Sequence, residues 1–214
     1  HVGDHSRVYN MHTRRNGSNN GSFECGHDSY IYGVLAEDGV KHNFFMASGK
    51  AENCTVWKSD NPAVFGGNSL FISFTTSPHA DTMDLEYKDC QVIAGRNTTD
   101  QAQYGAIGIY AHSTASKYRS LHVSGGVFAN TSVAVSAEIN DIFVDSAFFI
   151  NNFSATARSR GNLTFRNNRI ILANYESAQA VGGDNKPDSI LFSNNKVYMT
   201  ASNQKCMIFI GDAP

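Results

Sequence analysis

Glu138 and Asp184 are acidic residues in equivalent sequence surroundings, which Asp212 shares. Each follows a short apolar run that closes on small residues, 135–137 before Glu138 and 181–183 before Asp184. Arg158 follows a third run of this kind, between the other two. Hydrolysis of a glycosidic bond needs one carboxyl group to protonate the leaving oxygen and a second to activate water or attack the sugar. Glu138 and Asp184 are therefore candidate catalytic carboxylates, and Arg158 is the cation between them.

Asp141 and Asp145 are alternative catalytic carboxylates, because they follow Glu138 closely in the chain. Lyase chemistry is also open: a base would remove the proton beside a uronate carboxyl group and a cation would neutralise that group. The cations available for this are Lys88, Arg96, Arg119, Arg158, Arg166 and Arg169.

Three aromatic residues, Trp57, Tyr104 and Tyr110, are candidate substrate-binding residues, since an aromatic face stacks well on a sugar ring. Aromatic residues at these spacings also suit a core or a contact between subunits, and this alternative stays open. The four cysteines, Cys25, Cys54, Cys90 and Cys206, have no metal-ligand spacing and are expected to be reduced core residues, with a disulfide as the alternative.

Several classes of function are excluded. The eight histidines form no H-x-H or H-E-x-x-H motif, and no phosphate-binding loop occurs, so we expect neither a metal nor another cofactor. With 17 Lys and Arg against 19 Asp and Glu and no basic cluster, nucleic acid is not an expected partner. No apolar stretch reaches the roughly 20 residues that span a bilayer, so membrane insertion is not expected either.

The composition indicates an all-β fold. The chain has 21 Asn and 18 Gly but only 7 Leu, together with 14 Phe and 9 Tyr. Asn and Gly are turn residues, whereas aromatic and β-branched residues suit a pleated surface. Short strands joined by many turns follow from this mixture.

Five segments repeat one pattern: apolar residues at the first and third positions, a polar or small pair at the fifth and sixth, and a second apolar run from the eighth. The segments are 85–93, 121–129, 142–150, 163–171 and 190–198. The small-residue strand end seen before Glu138 is a second marker, and it also occurs near residues 26, 49 and 67. The double interval between Gly67 and Ala111 predicts one further, poorly marked repeat there.

These repeats predict a single-stranded parallel β-helix, a solenoid of about nine coils of about 24 residues, in which each coil buries its apolar face against its neighbours. A sandwich or jelly roll is the alternative, but it gives no reason for corner pairs to recur. Alternation along a strand predicts one inward column, formed by Tyr87, Val123, Val144, Phe165 and Phe192. The corner pairs 167–168 and 194–195, both Asn-Asn, are expected to form a ladder of side-chain amides.

Strands, Asn-rich corners and small-residue strand ends in this order resemble the right-handed parallel β-helix of the pectin-lyase-like superfamily, and most closely its bacteriophage tailspike depolymerases. The resemblance covers most of the chain, and residues 85–211 show it best. It is architectural, so it transfers no catalytic residue. It implies a homotrimer located in a virion tail or otherwise outside the cell.

We expect residues 1–214 to form one β-helix domain that is a segment of a longer chain, because neither end supplies a polar cap. The expected function is recognition of a polysaccharide along the outer face, with cleavage by hydrolase or lyase chemistry. A structural or adhesive solenoid without catalysis is the alternative.

Overall fold

A computed structural model describes residues 2–14, 23–38, 44–58, 69–75, 83–95, 103–113, 118–137, 139–152, 154–157, 161–172, 179–181, 188–198 and 206–208. These ranges contain no helix, and their strands form three parallel sheets of eight strands each. Successive strands go to the first, second and third sheet in turn. The molecule is therefore a parallel β-solenoid, as the repeats predict.

The strands of each sheet follow one another in chain order. The first sheet contains Arg7–Tyr9, Ser29–Tyr32, Gly49–Glu52, Met83–Lys88, Tyr118–Ser124, Asp141–Asp145, Asn162–Arg166 and Ser189–Ser193. The second contains His12–Arg14, Leu35–Glu37, Thr55–Trp57, Gln91–Ile93, Val127–Ala129, Phe148–Asn152, Arg169–Leu172 and Lys196–Tyr198. The third contains Glu24–Cys25, Phe44–Met46, Ser69–Thr75, Gln103–Ser113, Thr131–Ala137, Ser154–Ala157, Gln179–Val181 and Cys206–Ile208.

The described ranges place eight strands in each sheet and therefore contain eight coils, slightly fewer than the nine or so predicted. The extra coil was expected between Gly67 and Ala111. Instead, Ser73 pairs directly with Ala111, which makes their two coils immediate neighbours. The long interval in the sequence reflects longer segments between strands and not another layer. Gly67 itself lies outside the described ranges.

The predicted inward column is confirmed. Tyr87 pairs with Val123, Val123 with Val144, Val144 with Phe165, and Phe165 with Phe192. The first four are buried and Phe192 packs against the core from a partly buried position. The rings of Phe165 and Phe192 stack with centroids 5.6 Å apart. One register therefore persists through successive coils and gives the solenoid its core.

A two-residue corner joins the first sheet to the second in every coil. Its first residue always has a positive φ, between 51° and 66°. The residues at this position are Asn10, Gly33, Asn53, Asp89, Gly125, Ser146, Asn167 and Asn194. Asn, Asp and Gly adopt this left-handed conformation at low cost, which explains why the sequence is rich in them.

The Asn ladder exists, but it differs from the prediction. Asn168 does not bind the amide of its equivalent residue. Its Oδ1 accepts a hydrogen bond from the backbone N–H of Ala147 at 2.9 Å, and its Nδ2 donates to the carbonyl of Val144 at 3.1 Å. Asn195 repeats this arrangement one coil further on, with the N–H of Asn168 and the carbonyl of Phe165. The side chains thus satisfy backbone groups of the preceding coil at the buried corner.

Candidate functional site

The outer face of the first sheet carries the candidate site. Side chains alternate along each strand, so the residues between the buried positions point outward and align in columns from coil to coil. Strand Asp141–Asp145 has this alternation, with Ile142 and Val144 buried. A shallow groove of about 750 Å³ follows these columns across the strands that begin at Met83, Tyr118, Asp141 and Asn162.

One wall of the groove is a polar column that runs through Asp84, Ser120, Asp141, Asn162 and Ser189. Ser120 Oγ donates a hydrogen bond to Asp84 Oδ1 at 2.7 Å, and Asn162 Nδ2 donates to Asp141 Oδ1 at 2.9 Å. Ser189 Oγ donates to Asn162 Oδ1 at 2.7 Å. Each side chain is thus held by its neighbour one coil away, which orders the wall before any ligand binds.

The floor of the groove is formed by His122 and Phe143. They are paired neighbours on adjacent strands, and their rings stack with centroids 4.5 Å apart and an angle of 20° between the planes. Phe143 is 37% exposed, although it lies in the middle of a sheet. The stack runs along the solenoid axis, so its exposed side gives the groove an aromatic strip two coils long.

The opposite wall is a second polar column, which includes Ser124, Asp145 and Arg166. Asp145 accepts hydrogen bonds from Ser146 Oγ at 2.7 Å, from Arg166 Nε at 2.5 Å and from Asn167 Nδ2 at 3.0 Å. This carboxylate is nearly saturated by its own protein. It fixes Arg166 beside the aromatic floor.

The electrostatics favour ionised carboxylates in both walls. Hydrogen bonds from Arg119 and then Ser120 hold the pKa of Asp84 below its usual value, although partial burial acts in the other direction. Hydrogen bonds from Ser146, Asn167 and Arg166 lower the pKa of Asp145 in the same way. Both groups are therefore ionised hydrogen-bond acceptors at neutral pH. Neither fits the protonated acid that glycoside hydrolysis needs.

The structure brings together only some of the predicted catalytic residues. Glu138, Arg158 and Asp184 lie outside the described ranges. Asp141 and Asp145 both face the groove, but from opposite walls. Four residues along one strand separate their Cα atoms by about 13 Å, more than the two carboxyl groups of a glycosidase. Asp84 and Asp141 lie two coils apart in one column. The strand spacing puts their Cα atoms about 9.6 Å apart, which is closer than Asp141 and Asp145.

The predicted aromatic residues lie on other sheets. Trp57 belongs to the second sheet, between Glu37 and Ile93, whereas Tyr104 and Tyr110 belong to the long strand of the third sheet. Their role as sugar-binding residues stays a prediction. Trp57 and Tyr110 are not among the described residues that line the groove on the first sheet.

Four residues of the groove were not predicted from the sequence: Asp84, Glu86, His122 and Phe143. The last three occupy the second position of the aligned repeat segments, and Asp84 immediately precedes one segment. Only the apolar first and third positions were used to find the core. The second position of the repeat segments could have indicated the groove. Its side chains point outward in every coil, and they include one histidine and one exposed phenylalanine.

Among the residues that the structure describes, no cluster of three or more His, Cys, Asp and Glu side chains could hold a metal ion. The described ranges also contain no helix that could cross a membrane. No family model, curated protein or solved structure matches the chain. The function is therefore inferred from the fold and from the geometry of the groove.

Proposed function

We propose that this solenoid recognises a polysaccharide along the groove of the first sheet, as tailspike-like β-helices do, and that it acts outside the cell. The observation that carries the proposal is the stacked His122–Phe143 pair between two pre-ordered polar walls. An aromatic surface flanked by fixed donors and acceptors is the chemistry that binds the apolar face and the hydroxyl groups of a sugar.

The charges of the groove favour a neutral glycan. Its lining includes four carboxylates, Asp84, Glu86, Asp141 and Asp145, but only two guanidinium groups, Arg119 and Arg166. Asp84 is paired with Arg119, and Asp145 with Arg166. A polyuronate would therefore meet an excess of negative charge. Because the substrates of lyases are uronates, the same argument favours a hydrolase over a lyase if the chain cleaves its ligand.

Glycan binding can be tested with the variants His122→Ala and Phe143→Ala. We expect either change to weaken binding to a panel of neutral capsule and O-antigen polysaccharides by about 10-fold or more, because covering one aromatic side chain with ligand contributes roughly 1.5–3 kcal/mol. Tyr9→Ala is the matched control, since Tyr9 is an exposed aromatic residue of the first sheet, three coils away from the groove. Equal loss in all three variants, or tighter binding of uronate polymers, would contradict the proposal.

Cleavage is tested separately by incubating the protein with the bound polysaccharide and measuring new reducing ends or unsaturated uronates. Asp84 is the carboxylate that fits a base, and Glu138, Asp141 and Asp184 are the candidates for the acid. Asp84→Asn should then abolish product formation while the glycan still binds. Binding without any product would leave recognition as the whole function.

A structural or adhesive role is the second candidate, and one observation favours it. The outer side of the second sheet carries a column that is mostly apolar, formed by Trp57, Ile93, Ala129, Ile150, Ile171 and Tyr198. Such a column suits packing against another subunit, and a homotrimer is proposed from the resemblance. Light scattering on the protein and on Ile150→Asp tests it: a trimer that the variant dissociates supports assembly through this face.

A further inference from the structure

Cys54 and Cys90 occupy one position in adjacent coils. Each is the second residue of the corner between the first and second sheets, after Asn53 and Asp89. The N–H of Gln91 donates to the carbonyl of Cys54 at 2.8 Å, so the two corners are directly joined. Although 36 residues separate the two cysteines in the sequence, they are nearest neighbours in space.

Both thiols are free and buried. Cys54 Sγ lies 3.4 Å from the carbonyl oxygen of Glu52, and Cys90 Sγ lies 3.5 Å from that of Ala51 in the preceding coil. Adjacent residues in neighbouring parallel strands have Cα atoms about 4.8 Å apart, and disulfides span roughly 4.4–6.8 Å. The next residue in this column is Gly126, which adds no side chain that could block rotation of Cys90.

We propose that Cys54 and Cys90 are a modification site: a dithiol that hydrogen peroxide converts to an intramolecular disulfide, linking two consecutive coils. The Cys54 thiolate attacks one peroxide oxygen, becomes a sulfenic acid and releases hydroxide. The Cys90 sulfur then loses its proton, attacks Cys54 Sγ and expels the second hydroxide. Two protein thiols lose two protons and two electrons, and the peroxide is reduced to two water molecules.

The order of the two steps follows from the local interactions. A hydrogen bond from the Cys90 thiol lowers the pKa of Cys54, against the effect of burial. The same hydrogen bond, together with burial, raises the pKa of Cys90. Cys54 is therefore the thiol that ionises first and attacks. Cys25 lacks this advantage, because burial raises its pKa to about 12.

The test is oxidation of the folded protein with hydrogen peroxide, followed by thiol counting after denaturation and by peptide mapping. We expect two of the four cysteines to become unreactive, with a single Cys54–Cys90 cross-link and no oxygen retained on either sulfur. The melting temperature of the oxidised protein should rise by about 10 °C, because the bond closes a long loop. Retention of all four thiols, or a mixture of cross-links, would overturn the proposal.

The replacement residues can be taken from the same column, because Val34 and Ala147 occupy the equivalent position in other coils. Cys54→Val and Cys90→Ala should each abolish the cross-link and the rise in melting temperature, whereas Cys25→Ser should retain both. If a variant fails to fold, mapping of the oxidised wild-type protein decides alone. A cross-link that includes Cys25 or Cys206 in the folded protein would contradict the assignment.

Discussion

At the scale of single residues, Asn168 shows how one side chain can complete a corner. It is buried, and its side chain accepts a hydrogen bond from one backbone N–H and donates one to a carbonyl of the preceding coil. Its amide replaces the hydrogen bonds that the backbone would make in a continuous strand. This explains why an Asn residue recurs at the corner one coil later, at Asn195.

We expect Asn168→Ala to lower the free energy of unfolding by about 2–4 kcal/mol, because it leaves two buried backbone groups without partners. Urea denaturation measures the effect. Asn194→Gly is the control, since glycine tolerates the φ of 53° at that exposed corner and should change stability by less than about 1 kcal/mol. A similar loss in both variants would contradict a specific role for the Asn168 amide.

Lys58 is a second residue with a predictable effect, on the pH dependence of stability. Burial lowers its pKa to about 8, and the nearby charge of Asp38 opposes this only in part. Below pH 8 the amine is charged in both folded and unfolded chains, and the folded state bears the cost of burying it. Between pH 8 and the unfolded value near 10.5, the folded state loses its proton first, so this group makes the protein more stable as pH rises.

The measurement is the free energy of unfolding at pH 7 and pH 10 for the wild type and for Lys58→Met. Relative to the variant, the wild type should gain up to about 3 kcal/mol over this interval. Comparison with the variant removes the contributions of tyrosines and cysteines. Parallel pH profiles for the two proteins would mean that Lys58 is solvated.

The residue scale is also where prediction from sequence reached its limit. The inward column could be predicted because burial selects apolar residues at fixed positions. The hydrogen-bond partners of the Asn168 amide could not be predicted, because an amide can bond to an equivalent amide or to backbone groups. Only the geometry of the corner decides between the two. Asp84 was missed because its role comes from Arg119, which is 35 residues away in the chain.

At the scale of elements, the corner at Gly125 and Gly126 shows two different reasons for a glycine: backbone conformation and close approach of another backbone. Gly125 occupies the left-handed position that Asn, Asp or Ser fills in other coils. Gly126 has a φ of 82°, and a Cβ there would lie 2.1 Å from the carbonyl oxygen of Cys90. The second glycine is therefore required by close backbone approach as well as by conformation.

Gly126→Ala should destabilise the protein by about 2–4 kcal/mol, since the clash is with backbone that cannot rotate away. Gly125→Asn should cost less than about 1 kcal/mol, because the nearest atom is the movable carboxylate of Asp89. Thermal unfolding of the two variants makes the comparison. Equal destabilisation would show that the two positions are constrained alike.

Strand length could be predicted less well than strand position. The five aligned segments place the strands of the first two sheets, because the two-residue corner keeps their spacing constant. The strands of the third sheet vary from two residues at Glu24–Cys25 to eleven at Gln103–Ser113. Long connecting segments before them blur the repeat. This variation caused the error in the number of coils.

At the scale of the whole molecule, each coil packs only against its two neighbours. The stability of a solenoid is consequently local, and a defect in one coil should spread over only a short distance. Phe165 provides a test, because its side chain is fully buried and contacts Phe149 of the preceding coil and Phe192 of the next coil.

Phe165→Ala should cost about 3–5 kcal/mol locally. Hydrogen exchange should accelerate in Asp141–Asp145, Asn162–Arg166 and Ser189–Ser193, and it should remain unchanged in Ser29–Tyr32. The distant strand is the internal control. A uniform increase along the entire chain would instead indicate one cooperative unit.

The constant corner has a consequence for how such a chain can change in length. Ala147 and Asn168 are equivalent corner residues exactly one coil apart, at a sequence separation of 21. A stretch of chain cut at two such corners begins and ends in the same backbone conformation, so it can be duplicated in tandem without a new junction. The corner is thus a natural splice point, and copying one coil would lengthen the groove by one strand spacing while keeping every column in register.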